Sequence, residues 1–542
     1  MFESVMTRRY ARSDAPSTAP TDTVSAVILR RARVAVIAPV LAVVAGVLAP
    51  VAIAQAAPAT WGPCPALHGA SKDTLCATIR VPKDYARPSA GSIDVLVSKL
   101  PARGERRGVL IGNPGGPGGD AIGMFSLLTT PAALRDSYDL VAVQPRGLID
   151  AGELRCAPPS PSDAASYLAA GGALRAACDR TAPGYARTIT TANTARDIES
   201  ARTQLGLGDR VDLLGISYGT TLMSTYATLY PQHTDRLILD SAVDPRLEWN
   251  ALLTAQTPGY QRRITDLFTW IADHDDIYRL GSTPLAVYRS WSRVVTAEAG
   301  VPPSVSPPPA RVGDVPPGLR SQVQAYITGQ NLTGPARAQA ENFLASLVTG
   351  KRQSSSALVG LTRAAAPDRN AWPLVAQRIV AGPQRARAMS AESQREQLNS
   401  VAMQNTILCN ENAVPANPLL APASLLDTFL ITDPVGGPAL LFASGLFCSG
   451  VAPSARPVAI TGTGLRVRPL QLQALGDPQT PYRPSLEHRA RMGAQLITVG
   501  GGDHGQFGRS NPVVDAAIVE YLRTGWTSVT TAPQAPITTS LR

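Results

Sequence analysis

The stretch Val211-Asp-Leu-Leu-Gly-Ile-Ser-Tyr-Gly-Thr220 places the pattern G-x-S-x-G between an apolar segment and an amphipathic one. The apolar residues before Gly215 predict a buried strand, and Leu222, Tyr226 and Leu229 at helical spacing predict a helix after it. A serine on such a sharp strand-to-helix turn exposes its Oγ, and the next backbone N–H is free to face a developing oxyanion. Ser217 is therefore the candidate nucleophile. A Gly-Ser turn of no function is the alternative, so the rest of the chain has to supply the context.

The composition of the chain restricts the classes of fold and of binding partner that are possible. A chain of 542 residues is longer than a domain with a single hydrophobic core usually is, so a large domain with an insertion, or two domains, is expected. The proportions of 44% hydrophobic and 17% charged residues are typical of a globular protein. The net charge of +10 comes from arginines spread along the chain, without a dense basic stripe. We therefore expect no nucleic-acid partner.

Residues 1–57 have the physical character of an export signal. Arginines are frequent in the first 33 residues, the run Val34 to Ile53 is uncharged, and Ala-x-Ala sites follow at 52–54 and 54–56. This order predicts cleavage and a secreted protein with no membrane contact afterwards. A retained membrane anchor is the alternative, because about 20 apolar residues can span a bilayer.

Six cysteines follow the predicted signal, and an even number in an exported chain indicates disulfides. Their spacing favours the sequential pairing Cys64–Cys76, Cys156–Cys178 and Cys409–Cys448. Other pairings remain open, because connectivity cannot be deduced from spacing alone. A metal site is disfavoured, since no C-x-x-C pair and no neighbouring histidine is present.

The pattern of apolar runs predicts an α/β fold. Strands are expected at 77–81, 93–100, 108–112, 138–143, 211–216, 236–240, 469–474 and 495–499, with helices at 191–205, 485–492 and 513–522. Alternating strands and helices imply a mostly parallel sheet with helices on both faces. We therefore divide the chain into a first core part at 58–245, a helical cap insertion at 246–450, a second core part at 451–526 and a flexible tail at 527–542.

A glycine-rich segment, Asn113-Pro-Gly-Gly-Pro-Gly-Gly119, follows the predicted strand at 108–112. It could be a surface turn, or a loop whose N–H groups approach an anionic atom closely. The pattern does not favour a phosphate-binding loop, because no Walker lysine follows the glycines. In the second interpretation, Gly115 or Gly116 supplies one oxyanion donor and the N–H of Tyr218 supplies the other.

A serine nucleophile needs a base, and the order Ser, acid, His along the chain limits the five histidines to His488 and His504. His488 lies in a charged helix, Glu487-His-Arg-Ala-Arg491, where we expect a solvated side chain. His504 lies in the glycine-rich loop Gly500–Gly505 directly after a strand, from which it can reach across the edge of the sheet. His504 is therefore the predicted base.

The acid that orients this base is predicted to be Asp477. It follows the strand at 469–474 and so lies at the same carboxyl edge of the sheet as Ser217. Asp240, at the end of the strand after the nucleophile, is the alternative acid. Asp503 adjoins His504, and we expect it to point away and to be solvated.

Taken together, five motifs resemble those of the secreted α/β-hydrolases of the tripeptidyl aminopeptidase and prolyl aminopeptidase group from actinobacteria. The motifs are Asn113-Pro-Gly-Gly-Pro-Gly118, Gly215-Ile-Ser-Tyr-Gly219, Leu239-Asp-Ser-Ala-Val-Asp-Pro245, Asp477-Pro-Gln-Thr-Pro481 and Asp503-His-Gly505. The resemblance covers about residues 60 to 525. It implies the α/β-hydrolase fold and a monomeric, cofactor-free and metal-free serine exopeptidase that acts near free N-termini of peptides.

The resemblance also suggests a residue that binds the ammonium group of the substrate. The segment Cys409-Asn-Glu411 is similar to a Cys-x-acid segment of the group, so Glu411 is the candidate. A surface carboxylate of no function is the alternative. Two departures from the group are Gln144, where an aspartate is common, and Asp120, where a serine usually follows the glycine loop.

Two other classes of function remain open. An esterase with the same three residues would prefer acyl esters and ignore a free amine. A non-catalytic binding protein would show no turnover, although the presence of Ser, His and Asp in hydrolase order counts against it. The number of residues released per cut and the side-chain preference do not follow from the sequence.

Overall fold

The computed structural model describes residues 60–156, 169–384 and 389–541. The predicted export signal at 1–57 lies outside the described residues. In the described part, one mixed sheet forms the centre. Its strands are β1 Gly62–Pro63, β2 Leu75–Pro82, β3 Ser92–Leu100, β4 Gly108–Asn113, β5 Tyr138–Val143, β6 Val211–Ile216, β7 Thr234–Asp240, β8 Leu470–Ala474, β9 Gln495–Val499 and β10 Thr531–Ala532.

The order of strands across the sheet is β1-β2-β3-β5-β4-β6-β7-β8-β9-β10. Strands β1 to β3 are antiparallel, and β3 joins β5 in antiparallel register. From β5 to β10 every neighbouring pair is parallel. The carboxyl ends of these parallel strands meet at one edge, which is where ligand sites form in such sheets.

Helices surround the sheet and fill the span between β7 and β8. Their bounds are α1 Met124–Leu127, α2 Ala132–Ser137, α3 Ala170–Thr181, α4 Thr191–Gln204, α5 Tyr218–Leu229, α6 Leu252–Asp273, α7 Asp275–Tyr278, α8 Pro284–Ala299, α9 Val323–Thr349, α10 Ala357–Ala365, α11 Trp372–Val380, α12 Ala391–Asn410, α13 Ala421–Leu426, α14 Gly437–Ala443, α15 Tyr482–Met492 and α16 Pro512–Thr524. None of the helices in the described ranges combines the length and the apolarity that a membrane crossing requires.

Alternate side chains of the central strands pack into different cores. Leu213 packs with Ile198 and Tyr226 of the helices on one face, whereas Leu214 packs with Ile518 of the helix on the other. Burial on both faces explains why β5 and β6 are apolar throughout most of their length. A third core, which includes Phe268, Trp291 and Val375, lies among the helices between β7 and β8.

Three disulfides join the predicted pairs. The bonds are Cys64–Cys76, Cys156–Cys178 and Cys409–Cys448, and no described cysteine is free. The sequential pairing predicted from the spacing is therefore confirmed. Disulfides of this kind are typical of proteins that fold in an oxidising compartment.

The prediction of a loose tail at 527–542 is wrong for its described part. Strand β10 pairs with β9 in parallel register, Thr531 opposite Thr498. Farther on, the carbonyl of Leu541 accepts a hydrogen bond from the hydroxyl of Tyr278 at 2.8 Å. The Thr- and Pro-rich composition concealed a short strand, because an edge strand needs backbone hydrogen bonds on only one side.

Candidate active site

Ser217 lies at the sharp turn between β6 and α5. Its φ of 60° is a backbone conformation that residues other than glycine rarely adopt. The backbone holds it there, since its N–H donates to the Asp240 carbonyl at 2.9 Å and its carbonyl accepts from the Thr220 N–H at 2.8 Å. The two flanking glycines are required by close approach: a Cβ on Gly215 would lie 2.2 Å from the Gly219 carbonyl oxygen, and one on Gly219 would lie 2.5 Å from that of Asn113.

The glycine-rich loop after β4 lies directly against this turn. A Cβ on Gly115 would be 2.4 Å from the carbonyl oxygen of Ile216 and 2.9 Å from the Cβ of Ser217. The N–H of Gly115 is already used, because it donates to Oδ1 of Asn113 at 3.0 Å. For the N–H of Gly116 we find no acceptor in the described part of the chain. Of the two glycines predicted as oxyanion donors, Gly116 is therefore the better placed, and Asn113 is a supporting residue that sequence reasoning missed.

His504 and Asp477 contact each other closely. Nδ1 of His504 lies 3.0 Å from Oδ1 and 2.9 Å from Oδ2 of Asp477. The same carboxylate accepts from the N–H groups of Gln479 and Thr480 and from the Thr480 hydroxyl. Burial alone would raise the pKa of Asp477, but the neighbouring His504 and these hydrogen bonds outweigh burial and lower it. The acid is therefore held ionised beside the imidazole.

Asp240, the alternative acid, makes different contacts. Its Oδ2 accepts from the N–H groups of Gln506 and Phe507, each at 2.7 Å, and the Ser241 hydroxyl contacts its other oxygen. These bonds hold the loop that carries His504, but they do not involve the imidazole. The geometry thus gives Asp240 the role of positioning the loop, and it favours Asp477 as the partner of His504.

Two sequence expectations near the site are wrong. Asp503 is buried, not solvated, and its carboxylate pairs with Arg263 at 3.1 Å and with Arg369 at 2.9 Å. His488 is also buried, with its ring nitrogens 2.8 Å from the Ser224 hydroxyl and 2.8 Å from the Val243 carbonyl. Burial lowers the pKa of His488 to about 4. The charged residues around each position indicated exposure to solvent. The cap covers Asp503, however, and α5 covers His488.

Glu411, the predicted ammonium ligand, lies behind the site. Both of its oxygens accept hydrogen bonds of 2.6 Å from Thr191, one from the N–H and one from the hydroxyl. The Thr191 hydroxyl is in turn 2.8 Å from the hydroxyl of Tyr218. Burial raises the pKa of Glu411 to about 7. A second buried acid, Glu248, has its pKa raised to about 8 by burial and by repulsion from Glu411. Glu248 carries no sequence motif and was missed.

A cavity of about 590 Å³ opens between the turn at Ser217 and the cap. This volume is within the usual range for small-ligand sites. Its floor includes Gly116, Ser217 and Tyr218, and its walls are mainly apolar, with Trp249 and Phe447 among them. The lining contains no carboxylate of the described residues, and Glu411 is not part of it. Ser217, the predicted nucleophile, therefore lies at the base of a largely apolar cavity.

Gln144 and Asp120, the two residues that differ from the resembled group, accept hydrogen bonds from the segment that follows the glycine loop. Oε1 of Gln144 accepts from the Ala121 N–H at 3.0 Å, and Oδ1 of Asp120 accepts from the Ile122 N–H at 2.9 Å. Asp120 also contacts the buried ring of His68, whose other nitrogen contacts Asp150. Burial alone would lower the pKa of His68, but the two carboxylates raise it. Gln144 and Asp120 thus each have hydrogen-bond partners in this structure.

Comparison with known proteins agrees with this architecture. A family model described as the alpha/beta hydrolase fold matches residues 108–297, and one described as TAP-like protein matches residues 440–532. The chain is 29% identical to tripeptidyl aminopeptidase of Streptomyces coelicolor, over 88% of this chain and 86% of that protein. It is 25% identical to serine protease Hip1 of Mycobacterium tuberculosis, over 87% and 89% of the two chains.

Two further likenesses complete the comparison. A carboxylesterase B of Mycobacterium tuberculosis is 28% identical, over 85% of this chain and 86% of that protein. Among solved structures, proline iminopeptidase of Mycobacterium smegmatis superposes with a TM-score of 0.35 at 12% identity, covering 83% of this chain and 98% of that chain.

The sheet and the family models together define the fold class, the α/β-hydrolase fold. The relatives named tripeptidyl aminopeptidase and serine protease define the chain as a serine hydrolase. Within that class, its C-terminal part is TAP-like, and the resemblance to the tripeptidyl aminopeptidase group predicted from the motifs is confirmed.

Proposed function

We propose that Ser217, His504 and Asp477 form the catalytic triad of a secreted serine exopeptidase that acts on peptides with a free N-terminus. The observation that carries this proposal is the pairing of His504 Nδ1 with both Asp477 oxygens, at 3.0 and 2.9 Å. Because Nδ1 is committed to the acid, Nε2 is the nitrogen left to exchange a proton with the Ser217 hydroxyl.

In the proposed reaction these groups act in the following order. Ser217 attacks the carbonyl carbon of the substrate while His504 takes the hydroxyl proton, and Asp477 stabilises the imidazolium that forms. The N–H groups of Tyr218 and Gly116 donate to the oxyanion, and one such donor is worth about 3 kcal/mol in comparable sites. His504 returns its proton to the leaving amine, and water then hydrolyses the acyl-enzyme by the same path in reverse.

Two observations support a peptide substrate over other acyl compounds. Relatives that cover most of the chain are named tripeptidyl aminopeptidase and serine protease. In addition, the buried acid Glu411 lies one hydroxyl group behind Tyr218, which lines the cavity. We propose that Glu411 in its ionised form attracts the substrate's ammonium electrostatically, since its carboxylate is not in the cavity wall.

An esterase is the second candidate. The apolar lining of the cavity and the relative named carboxylesterase B favour it. The same triad would serve, because the acyl-enzyme chemistry does not depend on whether the leaving group is an amine or an alcohol.

One substrate series separates the two candidates. Chromogenic mono-, di- and tripeptide substrates with a free amine are compared with their N-acylated forms and with short-chain esters, and Ser217→Ala is the control. The exopeptidase requires release from the free-amine set and little from the acylated set. Turnover of esters alone, with no release from any free-amine peptide, would contradict the peptidase and support the esterase.

A further inference from the structure

Arg363 of α10 lines the same cavity as Ser217. Its Nε donates to the carbonyl of Pro434 at 2.6 Å, and its guanidinium lies over the ring of Tyr260, 4.7 Å from the ring centroid. Both neighbours also line the cavity. The hydrogen bond and the ring contact restrict the guanidinium, so less freedom is lost when its remaining donors bind a ligand.

The remaining donors of Arg363 have no partner in the described part of the chain. Within residues 60–156, 169–384 and 389–541, no ion pair involves Arg363, and neither Nη atom has a hydrogen-bond acceptor. By contrast, Arg263 and Arg369 are both paired with Asp503. An anionic ligand in the cavity would supply the counterion that Arg363 lacks among the described residues.

The cavity offers no charge that competes for the guanidinium. Its other polar lining residues are neutral, among them Gln256, Gln404 and Gln479. Gln256 is occupied, since its Nε2 donates to the Gln479 carbonyl at 2.7 Å. Arg363 therefore makes this part of the cavity electropositive, and a planar fork of two N–H donors matches the two oxygens of a carboxylate.

We propose that Arg363 binds a carboxylate of the peptide substrate and so makes the enzyme selective for peptides that carry one near the scissile bond. This inference rests on the proposed peptidase function and specifies its substrate class. The carboxylate has two sources, the C-terminus of a short peptide or an acidic side chain, and Arg363 would recognise both by the same bidentate contact.

Binding to the full chain carrying Ser217→Ala tests the inference without turnover. The probes are tetraalanine and its C-terminal amide, and a set of alanine peptide amides that carry either Glu or Gln at one position. Calorimetry is expected to show that the acid of one pair binds about ten- to hundredfold more tightly than its neutral partner, the worth of a hydrogen bond to a charged group. The pair that shows this difference identifies the source of the carboxylate.

The variant Arg363→Gln on the same background is expected to reduce that ratio to about one, and Arg363→Lys to retain part of it. Arg293→Gln, a cap arginine outside the cavity that contacts Ser290, removes the same charge and should leave the ratio unchanged. Equal binding of acid and neutral partner in both pairs would overturn the inference, and so would a preference that persists in Arg363→Gln.

In the enzyme that retains Ser217, the neutral peptide of that pair should have a higher KM than the acidic one and a similar kcat. A protein that binds acids selectively but cleaves no peptide would refute the peptidase and leave the carboxylate site established. The two proposals thus fail in different ways.

Discussion

At the scale of single residues, the site depends on how closely the glycine loop can approach the turn at Ser217. Gly115 has a φ of 97°, and any side chain there would meet the Ile216 carbonyl. The loop can therefore present the N–H of Gly116 to the cavity only while position 115 has no Cβ.

Replacing Gly115 by alanine should lower kcat about a hundredfold, because the displaced loop loses one oxyanion donor. Gly91→Ala is the matched control. Its φ of 103° imposes similar backbone strain, but a Cβ there has nothing within 4 Å. Both variants should lose about 1 kcal/mol of stability or more through strain. Steady-state kinetics and thermal unfolding measure the two effects, and equal kcat in the two variants would contradict the account.

A second prediction concerns Glu248. Burial and repulsion from Glu411 raise its pKa to about 8, whereas an unfolded glutamate titrates at about 4.3. Between these values the folded protein holds a proton that the unfolded chain releases, so the contribution to stability falls as pH rises through that window. Glu248→Gln removes this loss.

We expect Glu248→Gln to unfold at a temperature close to that of the original protein at pH 4.5, and at a higher temperature at pH 8.5. The expected gain at pH 8.5 is on the order of 5 kcal/mol, the free energy that corresponds to the difference between the two pKa values. Thermal unfolding at the two pH values measures it. An unchanged pH dependence would show that Glu248 titrates normally.

At the scale of elements, the end of β7 holds the loop that follows β9. Asp240 accepts two N–H groups of that loop with one oxygen. Asp240→Asn retains an oxygen that can accept both, whereas Asp240→Ala leaves two buried donors unpaired at about 1–3 kcal/mol each.

Asp240→Asn should therefore keep kcat within about tenfold of the original value, and Asp240→Ala should lower it further by displacing His504. Asp477→Asn should lower kcat by about 10⁴, the loss seen when a triad acid is replaced by its amide. Steady-state kinetics of the three variants measures these differences. If Asp240→Asn lost as much as Asp477→Asn, Asp240 would be the acid of the triad.

Elements with strong local patterns were predictable from the sequence. The bounds of β5 and β9 agree with the prediction, because each is a short apolar run between turn residues. The burial of His488 and Asp503 was not predictable, since the residues that cover them come from distant segments. The position of Glu411 behind Tyr218 depends likewise on how the residue after α12 meets the first residue of α4, Thr191, which no local pattern encodes.

At the scale of the whole molecule, the disulfide Cys409–Cys448 links the end of α12 to the segment after α14, across 39 residues. The disulfide Cys64–Cys76 closes a separation of only 12 residues. In the chain-entropy model the longer loop contributes about 4 kcal/mol and the shorter about 3 kcal/mol.

Replacing both cysteines of the longer pair by serine should therefore lower the unfolding temperature more than the same change at the shorter pair. Because residues of α12 and α14 line the cavity, KM should also rise in the variant of the longer pair. Calorimetry and kinetics on the two double variants test this, and an unfolding temperature lowered more by loss of the short loop would contradict it.

In the proposed mechanism one serine, activated by one histidine, performs the chemistry. The most direct test of this mechanism is labelling of the intact protein with a fluorophosphonate, followed by mass spectrometry of the peptides. A single adduct is expected on the peptide that carries Ser217. This adduct should be absent in Ser217→Ala, and it should form much more slowly in His504→Ala. An adduct on another residue, or labelling of Ser217 at an unchanged rate without His504, would contradict it.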